Sequence, residues 1–240
     1  VNELPSQSSV VITGTGVVGE TITVTSTPDA GGDPSTCTTT VDNDGNYSCS
    51  LSPQPELGDH TLAVTTTDLA GNTSIPATGS FTMALDTDGD GQIDSEDTDD
   101  DGDGIPDEIE DAGFNNGDGN GDGIKDSLQA NVATQFNPVT GGSTTLEVTG
   151  GCQLVTGFDI VKESELQKQD AYFTYPVGLN DFSLKCDSPG QTATVTFYYN
   201  KSYDTSTWSY KKYDTNTKEY TDISGQVTYG NKQVGGADVT

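Results

Sequence analysis

The sequence contains no arginine, and its nine basic residues are all lysines, none of which precedes Lys125. It has one histidine, and no apolar run approaches the roughly 20 residues of a membrane-spanning helix. Phosphate recognition needs a basic surface, so this composition argues against a nucleic-acid partner and against anionic membrane surfaces. No Ser/His/Asp or Cys/His constellation is evident, and we expect no enzymatic activity.

Acidic residues dominate the charge. The 240 residues include 38 Asp and Glu, and the formal net charge is −29. The length suffices for two ordinary domains and a connector, and a hydrophobic content of 30% suits thin β-sandwiches with a polar insert. Such a chain attracts cations.

The four cysteines fall into two pairs, Cys37/Cys49 and Cys152/Cys186, each within one proposed domain. Neither pair has the CxxC spacing of zinc sites, so we predict two intradomain disulfides in an oxidising, extracellular compartment, with free thiols as the alternative. The sequence from Val1 onward does not open with a signal-peptide pattern. We therefore expect a mature chain or an excised piece whose anchor lies outside it.

The N-terminal third alternates Thr and Val at period two between turn residues, which predicts a sandwich of short strands. The predicted strands are residues 10–14, 20–27, 36–41, 47–51, 60–68 and 79–84. The motifs VITGTG (11–16), GETITV (19–24), DGNYS (44–48), GDHTL (58–62) and TDLAGNTS (67–74) resemble bacterial immunoglobulin-like domains of surface proteins. That resemblance covers residues 8–84 and implies a stalk or adhesin module.

The acidic centre repeats one pattern. Residues 86–94, 99–107 and 118–126 each fit D-x-[DN]-x-D-G-x-x-D, the front of an EF-hand-type calcium loop. In such a loop ligands come from positions one, three, five, seven (through its carbonyl), nine and twelve, and the glycine at position six allows the bend. The predicted ligands are Asp86, Asp88, Asp90, Gln92, Asp94 and Asp97 in loop 1 (residues 86–97); Asp99, Asp101, Asp103, Ile105, Asp107 and Glu110 in loop 2 (residues 99–110); and Asp118, Asn120, Asp122, Ile124 and Asp126 in loop 3 (residues 118–129).

Position twelve distinguishes the loops. Glu110 suits bidentate closure of loop 2, whereas Gln129 offers loop 3 one neutral oxygen, so we predict that loop 3 is the weakest site. Closely spaced loops without long flanking helices resemble thrombospondin type-3 repeats, which implies an ion-wrapped segment with little core of its own. Ca²⁺ is the predicted cofactor, since Mg²⁺ demands near-ideal octahedra and Zn²⁺ lacks its usual ligands here. The alternative is a solvated acidic linker.

The C-terminal part returns to strands after a predicted short helix at residues 124–133. The clearest predicted strands are residues 144–148, 192–199, 209–213 and 226–229. The motifs TLEV (145–148) with Gly151-Cys152, YPVGLNDF (175–182), QTATVTFYY (191–199) and KYD (212–214) resemble the choice-of-anchor U domain of bacterial surface proteins.

We therefore predict an all-β chain, with a bacterial immunoglobulin-like sandwich (1–85), a calcium-binding segment (86–130) and a second β-sandwich (131–240). The predicted function is a calcium-stiffened surface stalk or spacer. Two alternatives remain open. One is a fibre subunit that exchanges strands between copies of the chain. The other is an adhesin that binds a surface glycan, with a protein receptor as a further partner, through a tyrosine-rich region made of Tyr198, Tyr199, Tyr203, Trp208, Tyr210, Tyr213 and Tyr220.

Overall fold

The computed structural model describes residues 2–228, 230, 232–234 and 236–239. They form two compact units, residues 1–97 and 98–240. Loop 1 therefore belongs to the first unit, and loops 2 and 3 belong to the second. The predicted division into three segments is finer than these units and stays a prediction.

Seven strands lie among the described residues of the first unit. They are β1 (Asn2–Pro5), β2 (Val11–Thr15), β3 (Thr21–Pro28), β4 (Ser35–Thr40), β5 (Asn46–Ser50), β6 (Gly58–Thr67) and β7 (Ala77–Ala84). One sheet has the order β1-β7-β6-β3-β4, and β2 pairs with β5 in a second sheet. All pairings are antiparallel except that of β1 with β7, which is parallel.

Period-two alternation produces the core of this unit. Ile22 and Val24 of β3 point inward and are fully buried, while the threonines that alternate with them lie on the opposite face and are half-buried. They pack with Phe81, Met83 and other apolar side chains of both sheets. The disulfide Cys37–Cys49 joins β4 of one sheet to β5 of the other, as the sequence predicted.

The described residues of the second unit form nine strands and two single-turn helices. They are α1 (Asp107–Asp111), α2 (Phe114–Gly117), β8 (Val132–Asn137), β9 (Gly142–Gly150), β10 (Cys152–Val161), β11 (Leu179–Cys186), β12 (Ala193–Tyr199), β13 (Lys211–Asp214), β14 (Glu219–Asp222), β15 (Lys232–Val234) and β16 (Ala237–Val239). The sheet β12-β9-β8 is accompanied by the two-stranded pairs β10-β11, β13-β14 and β15-β16. Three 3₁₀ turns lie at Asp126–Leu128, Glu163–Glu165 and Ser224–Gln226.

This architecture confirms the all-β prediction. The second predicted disulfide, Cys152–Cys186, closes the pair β10-β11. The core of the second unit includes Leu146, Val148, Phe158 and Ile160. Among the described residues no helix is long and apolar enough to cross a membrane.

Two local predictions for the second unit were wrong. Residues 124–133 contain only the 3₁₀ turn Asp126–Leu128 and the start of β8 instead of a helix. Their polar groups form hydrogen bonds to neighbouring segments; for example, the Asn131 side-chain amide donates to the carbonyl of Val148. These bonds replace the hydrogen bonds of a helix. In the strand predicted at 226–229, Gln226 ends a 3₁₀ turn, residues 227–228 are irregular, and residue 229 lies outside the described residues.

Candidate metal centre

The three acidic loops share one backbone path. Position six is a glycine with φ of 101° in Gly91, 92° in Gly104 and 95° in Gly123. Position four is also a left-handed glycine in each loop, since φ is 80° at Gly89, 70° at Gly102 and 73° at Gly121. These φ values favour glycine because a Cβ strains the backbone there. The role of position four was not predicted, although a glycine recurs at that position in all three loops.

Side-chain oxygens of each loop accept hydrogen bonds from the amides that follow them. The position-three oxygen accepts from the position-five amide in all three loops, at 2.9 Å (Asp88), 3.1 Å (Asp101) and 3.1 Å (Asn120). The position-five carboxylate accepts from the position-seven amide at 2.8 Å (Asp90), 2.7 Å (Asp103) and 2.8 Å (Asp122). These bonds turn the side chains at positions three and five toward the inside of each loop.

The aspartate at position nine closes each loop. The amide at position two donates to Asp94 at 2.9 Å, to Asp107 at 2.9 Å, and to Asp126 at 3.0 Å. All three carboxylates therefore fasten the end of their loop to its beginning. Direct contact of an ion with these three carboxylates, and with Asp97, stays a prediction.

Loop 1 gathers three carboxylates at the edge of the first unit. Oxygens of Asp86, Asp88 and Asp90 lie within 4.8 Å of one another. Two oxygens bound to one Ca²⁺ at about 2.4 Å are separated by no more than about 5 Å, so this cluster fits a single ion. Asp86 is buried, and its Oδ2 has no hydrogen-bond partner among the described residues.

The β1–β2 connection anchors loop 1. The Gln7 amide donates to the carbonyl of Asp86 at 2.8 Å and to that of Thr87 at 3.2 Å, and the amide of Asp86 donates to the Ser6 hydroxyl at 3.2 Å. These contacts span about 80 residues of sequence, so the loop pattern itself gave no sign of them.

Loop 2 is the most deeply buried of the three. Oxygens of Asp99, Asp101 and Asp103 lie within 4.8 Å of one another. Asp103 and Glu110 both have 0% exposure, and one oxygen of each, Asp103 Oδ2 and Glu110 Oε2, is buried without a hydrogen-bond partner among the described residues. A buried carboxylate oxygen without a partner carries a large desolvation penalty, which a bound cation would offset.

Burial and mutual repulsion make these carboxyl groups hard to ionise when no ion is present. Burial raises the pKa of Glu110 to about 10, and the neighbouring Asp103 adds to the shift. For the same two reasons the pKa of Asp103 rises to about 8 and that of Asp101 to about 7. A nearby divalent cation reverses this effect because it stabilises the ionised form.

Loop 3 has a more neutral ligand set. Asn120 replaces an aspartate at position three, and the Gln129 amide lies 3.4 Å from both Asp122 Oδ1 and the carbonyl oxygen of Ile124. The position-twelve side chain therefore reaches two of the predicted ligands. Burial raises the pKa of Asp126 to about 6 in spite of hydrogen bonds from Thr134 and the amide of Gly119.

The donor set of all three loops is made of oxygens, which is the chemistry that Ca²⁺ prefers. The single histidine lies elsewhere, buried in the first unit, where it stacks on Phe81 and contacts the Ser26 hydroxyl and the carbonyl of Glu56. The loops thus fit a hard divalent cation. Assignment of the predicted ligands to Ca²⁺ stays a prediction.

The tyrosine-rich region forms a chain of packed rings. Ring centroids are 6.0 Å apart for Tyr199 and Tyr203, 5.5 Å for Tyr203 and Trp208, and 6.3 Å for Trp208 and Tyr210. These rings pack against one another, as in ordinary aromatic packing. The glycan-binding alternative stays a prediction.

Comparison with known proteins bears on the first unit. No curated protein matches the chain. A family model described as a bacterial Ig domain matches residues 2–82, which include all of β1 to β6 and most of β7. The resemblances to thrombospondin type-3 repeats and to the choice-of-anchor U domain stay predictions. Residues 2–82 of the first unit therefore match a bacterial immunoglobulin-like domain.

Proposed function

We propose that this chain is a calcium-stabilised structural module of a bacterial surface or secreted protein, which acts as a stalk or spacer. The bacterial immunoglobulin-like domain supports a structural or adhesive role outside the cell. The two disulfides agree with an oxidising compartment. The formal net charge of −29 favours a cation, and not a nucleic acid, as the binding partner.

One observation carries the calcium part of this proposal. Asp103 and Glu110 hold carboxylate oxygens that are fully buried and have no hydrogen-bond partner among the described residues. Asp86 repeats the arrangement in loop 1. A solvated acidic linker, the alternative interpretation, would keep such oxygens in water. Ca²⁺ would bind the folded loops and stabilise them by mass action.

Calorimetric titration of the full chain with CaCl₂, after removal of metal with EDTA, tests the proposal. We expect about three or more bound ions. The matched control is the triple variant Asp90→Asn, Asp103→Asn and Asp122→Asn, which removes one charge from position five of each loop at nearly constant size. It should lose most of the binding. Absence of binding heat, together with an unchanged melting temperature in millimolar calcium, would refute the proposal.

Small-angle scattering and limited proteolysis test the mechanical part. With calcium, the segment that contains the loops should resist protease; with EDTA, cleavage should concentrate between residues 86 and 129 and the scattering profile should change. Identical cleavage and scattering in both conditions would argue against a stalk stiffened by ions, even if calcium binds.

A further inference from the structure

One residue of the second unit holds both of its acidic loops. The backbone amide of Thr134, in β8, donates to Glu110 Oε1 at 2.9 Å, and its hydroxyl donates to Asp126 Oδ2 at 2.5 Å. Glu110 is position twelve of loop 2 and Asp126 is position nine of loop 3. Thr134, Glu110 and Asp126 all have 0% exposure, so water does not compete for these bonds.

A second contact joins the same two loops directly. The amide of Gln129, at position twelve of loop 3, donates to Asp101 Oδ2 of loop 2 at 3.0 Å. The other oxygen of Asp101 accepts the amide of Asp103 within loop 2. A predicted ligand of loop 2 therefore fixes the end of loop 3.

Strand β9 completes the connection. The Thr145 hydroxyl contacts that of Thr134, and it lies 3.5 Å from Asp126 Oδ2. Asp126 in turn accepts the amide of Gly119 and so closes loop 3. The path from loop 2 to loop 3 thus runs through Glu110, Thr134 and Asp126, with each member buried.

We infer that loops 2 and 3 bind their ions as one cooperative pair, and that Thr134 is the positioning residue that couples them. The inference rests on the proposed calcium function. With loop 2 occupied, Glu110 would hold the amide of Thr134, and the Thr134 hydroxyl would hold Asp126 in the position that closes loop 3. The second ion meets an ordered loop, so it binds with a smaller ordering cost. Loop 1 is anchored separately, by Ser6 and Gln7.

A matched pair of variants tests the coupling. Asp90 and Asp103 both occupy position five and both accept the amide of position seven. Asp90→Asn should remove the ion of loop 1 alone, whereas Asp103→Asn should remove the ion of loop 2 and weaken calcium binding to loop 3 by at least about tenfold, as measured by calorimetric calcium titration of the full chain. An unchanged calcium affinity of loop 3 in Asp103→Asn would overturn the coupling and leave the proposed function intact. If the wild-type chain binds no calcium, the proposed function itself fails.

Thr134→Val tests the residue assigned to the coupling. Valine keeps the shape and the amide bond to Glu110 but loses the hydroxyl bond to Asp126. Loop 3 should then bind calcium at least about tenfold more weakly, while calcium binding to loop 2 is nearly unaffected. The single cooperative binding step should therefore become two separate steps. Thr134→Ser restores the hydroxyl and should restore the single step.

The control is Thr82→Val, which removes a threonine–carboxylate bond to Asp59, also 2.5 Å long, in the first unit. It should leave all calcium steps unchanged. A purely structural role for Thr134 would weaken both loops equally and preserve one step in Thr134→Val, and that result would contradict the assignment. Failure of Thr134→Ser to restore the step would contradict it as well.

Discussion

Loops 1 and 2 have the same acidic pattern and the same glycine positions, yet they are integrated differently into their units. Loop 1 lies at the edge of the immunoglobulin-like domain, with Asp88 and Asp90 exposed, and is held by Ser6 and Gln7. Loop 2 contributes Ile105 to the core of the second unit and buries Asp103 and Glu110 completely. The same motif thus lies at the edge of the first unit and contributes to the core of the second.

Calcium removal should give the largest difference between the units. In EDTA, strands β8 and β9 of the second unit should lose hydrogen-exchange protection, while β3 and β6 of the first unit keep theirs. Each site at a thousandfold excess of ion over Kd contributes about 4 kcal/mol, and loops 2 and 3 both act on the second unit. Equal loss of protection in both units, or none in either, would contradict the comparison.

Truncation of the core residue in loop 2 should have the next largest effect. Ile105 has 1% exposure and Ile124, at the same position of loop 3, has 50%. Ile105→Ala should lower the free energy of unfolding of the second unit by about 2–5 kcal/mol because it leaves a cavity in a packed core. The control Ile124→Ala should cost less than about 0.5 kcal/mol. Chemical denaturation in saturating calcium measures both, and equal costs would mean that the loops are integrated alike.

The pH dependence of the metal-free second unit should have an unusual sign. Asp101, Asp103 and Glu110 have pKa values raised to about 7, 8 and 10 in the folded chain. The folded state then binds more protons than the unfolded state above pH 4, so stability is greatest at low pH and falls as pH rises through 7 and 8. With EDTA present, the melting temperature should be some degrees higher at pH 5.5 than at pH 8.

Saturating calcium should reverse this trend, since protons and the ion compete for the same oxygens. The first unit, which contains none of these three carboxyl groups, serves as the internal control. A metal-free second unit that gains stability with increasing pH would show that its carboxylates are hydrated and not buried.

The smallest expected effect concerns the anchor of loop 1. Gln7→Ala removes the bonds to the carbonyls of Asp86 and Thr87 and should cost the first unit about 1 kcal/mol. It should also weaken ion binding to loop 1 alone. Gln54→Ala, which removes a glutamine–carbonyl bond to Ser8 in the same unit, is the control and should not change ion binding. An effect of Gln7→Ala on loops 2 and 3 would refute the separate anchoring of loop 1.

The sequence was most informative where structure is local. Asp and Gly spacing predicted the three bends because each depends on φ angles and on hydrogen bonds that span only a few residues. Alternating Thr and Val predicted β3, and cysteine pairing within domains predicted both disulfides.

Longer-range features could not be read in this way. The contacts of Thr134 with Glu110 and Asp126, and those of Gln7 with loop 1, depend on which strands pair and where loops pack. The predicted helix at 124–133 failed for the same reason. Its residues satisfy their polar groups through Asp101, Val148 and Thr134 rather than within a helical turn.

The parallel pairing of β1 with β7 has a mechanical consequence. The chain enters the immunoglobulin-like domain through β1 and leaves it after β7, and the register Asn2↔Phe81 to Pro5↔Ala84 places these strands side by side in the same direction. Tension applied to the two ends of the domain pulls the strands past each other. Because ladder hydrogen bonds run across the strands, this tension loads them all at once in shear instead of opening them one by one. Pulling on the two ends of the domain should therefore meet the combined resistance of this ladder.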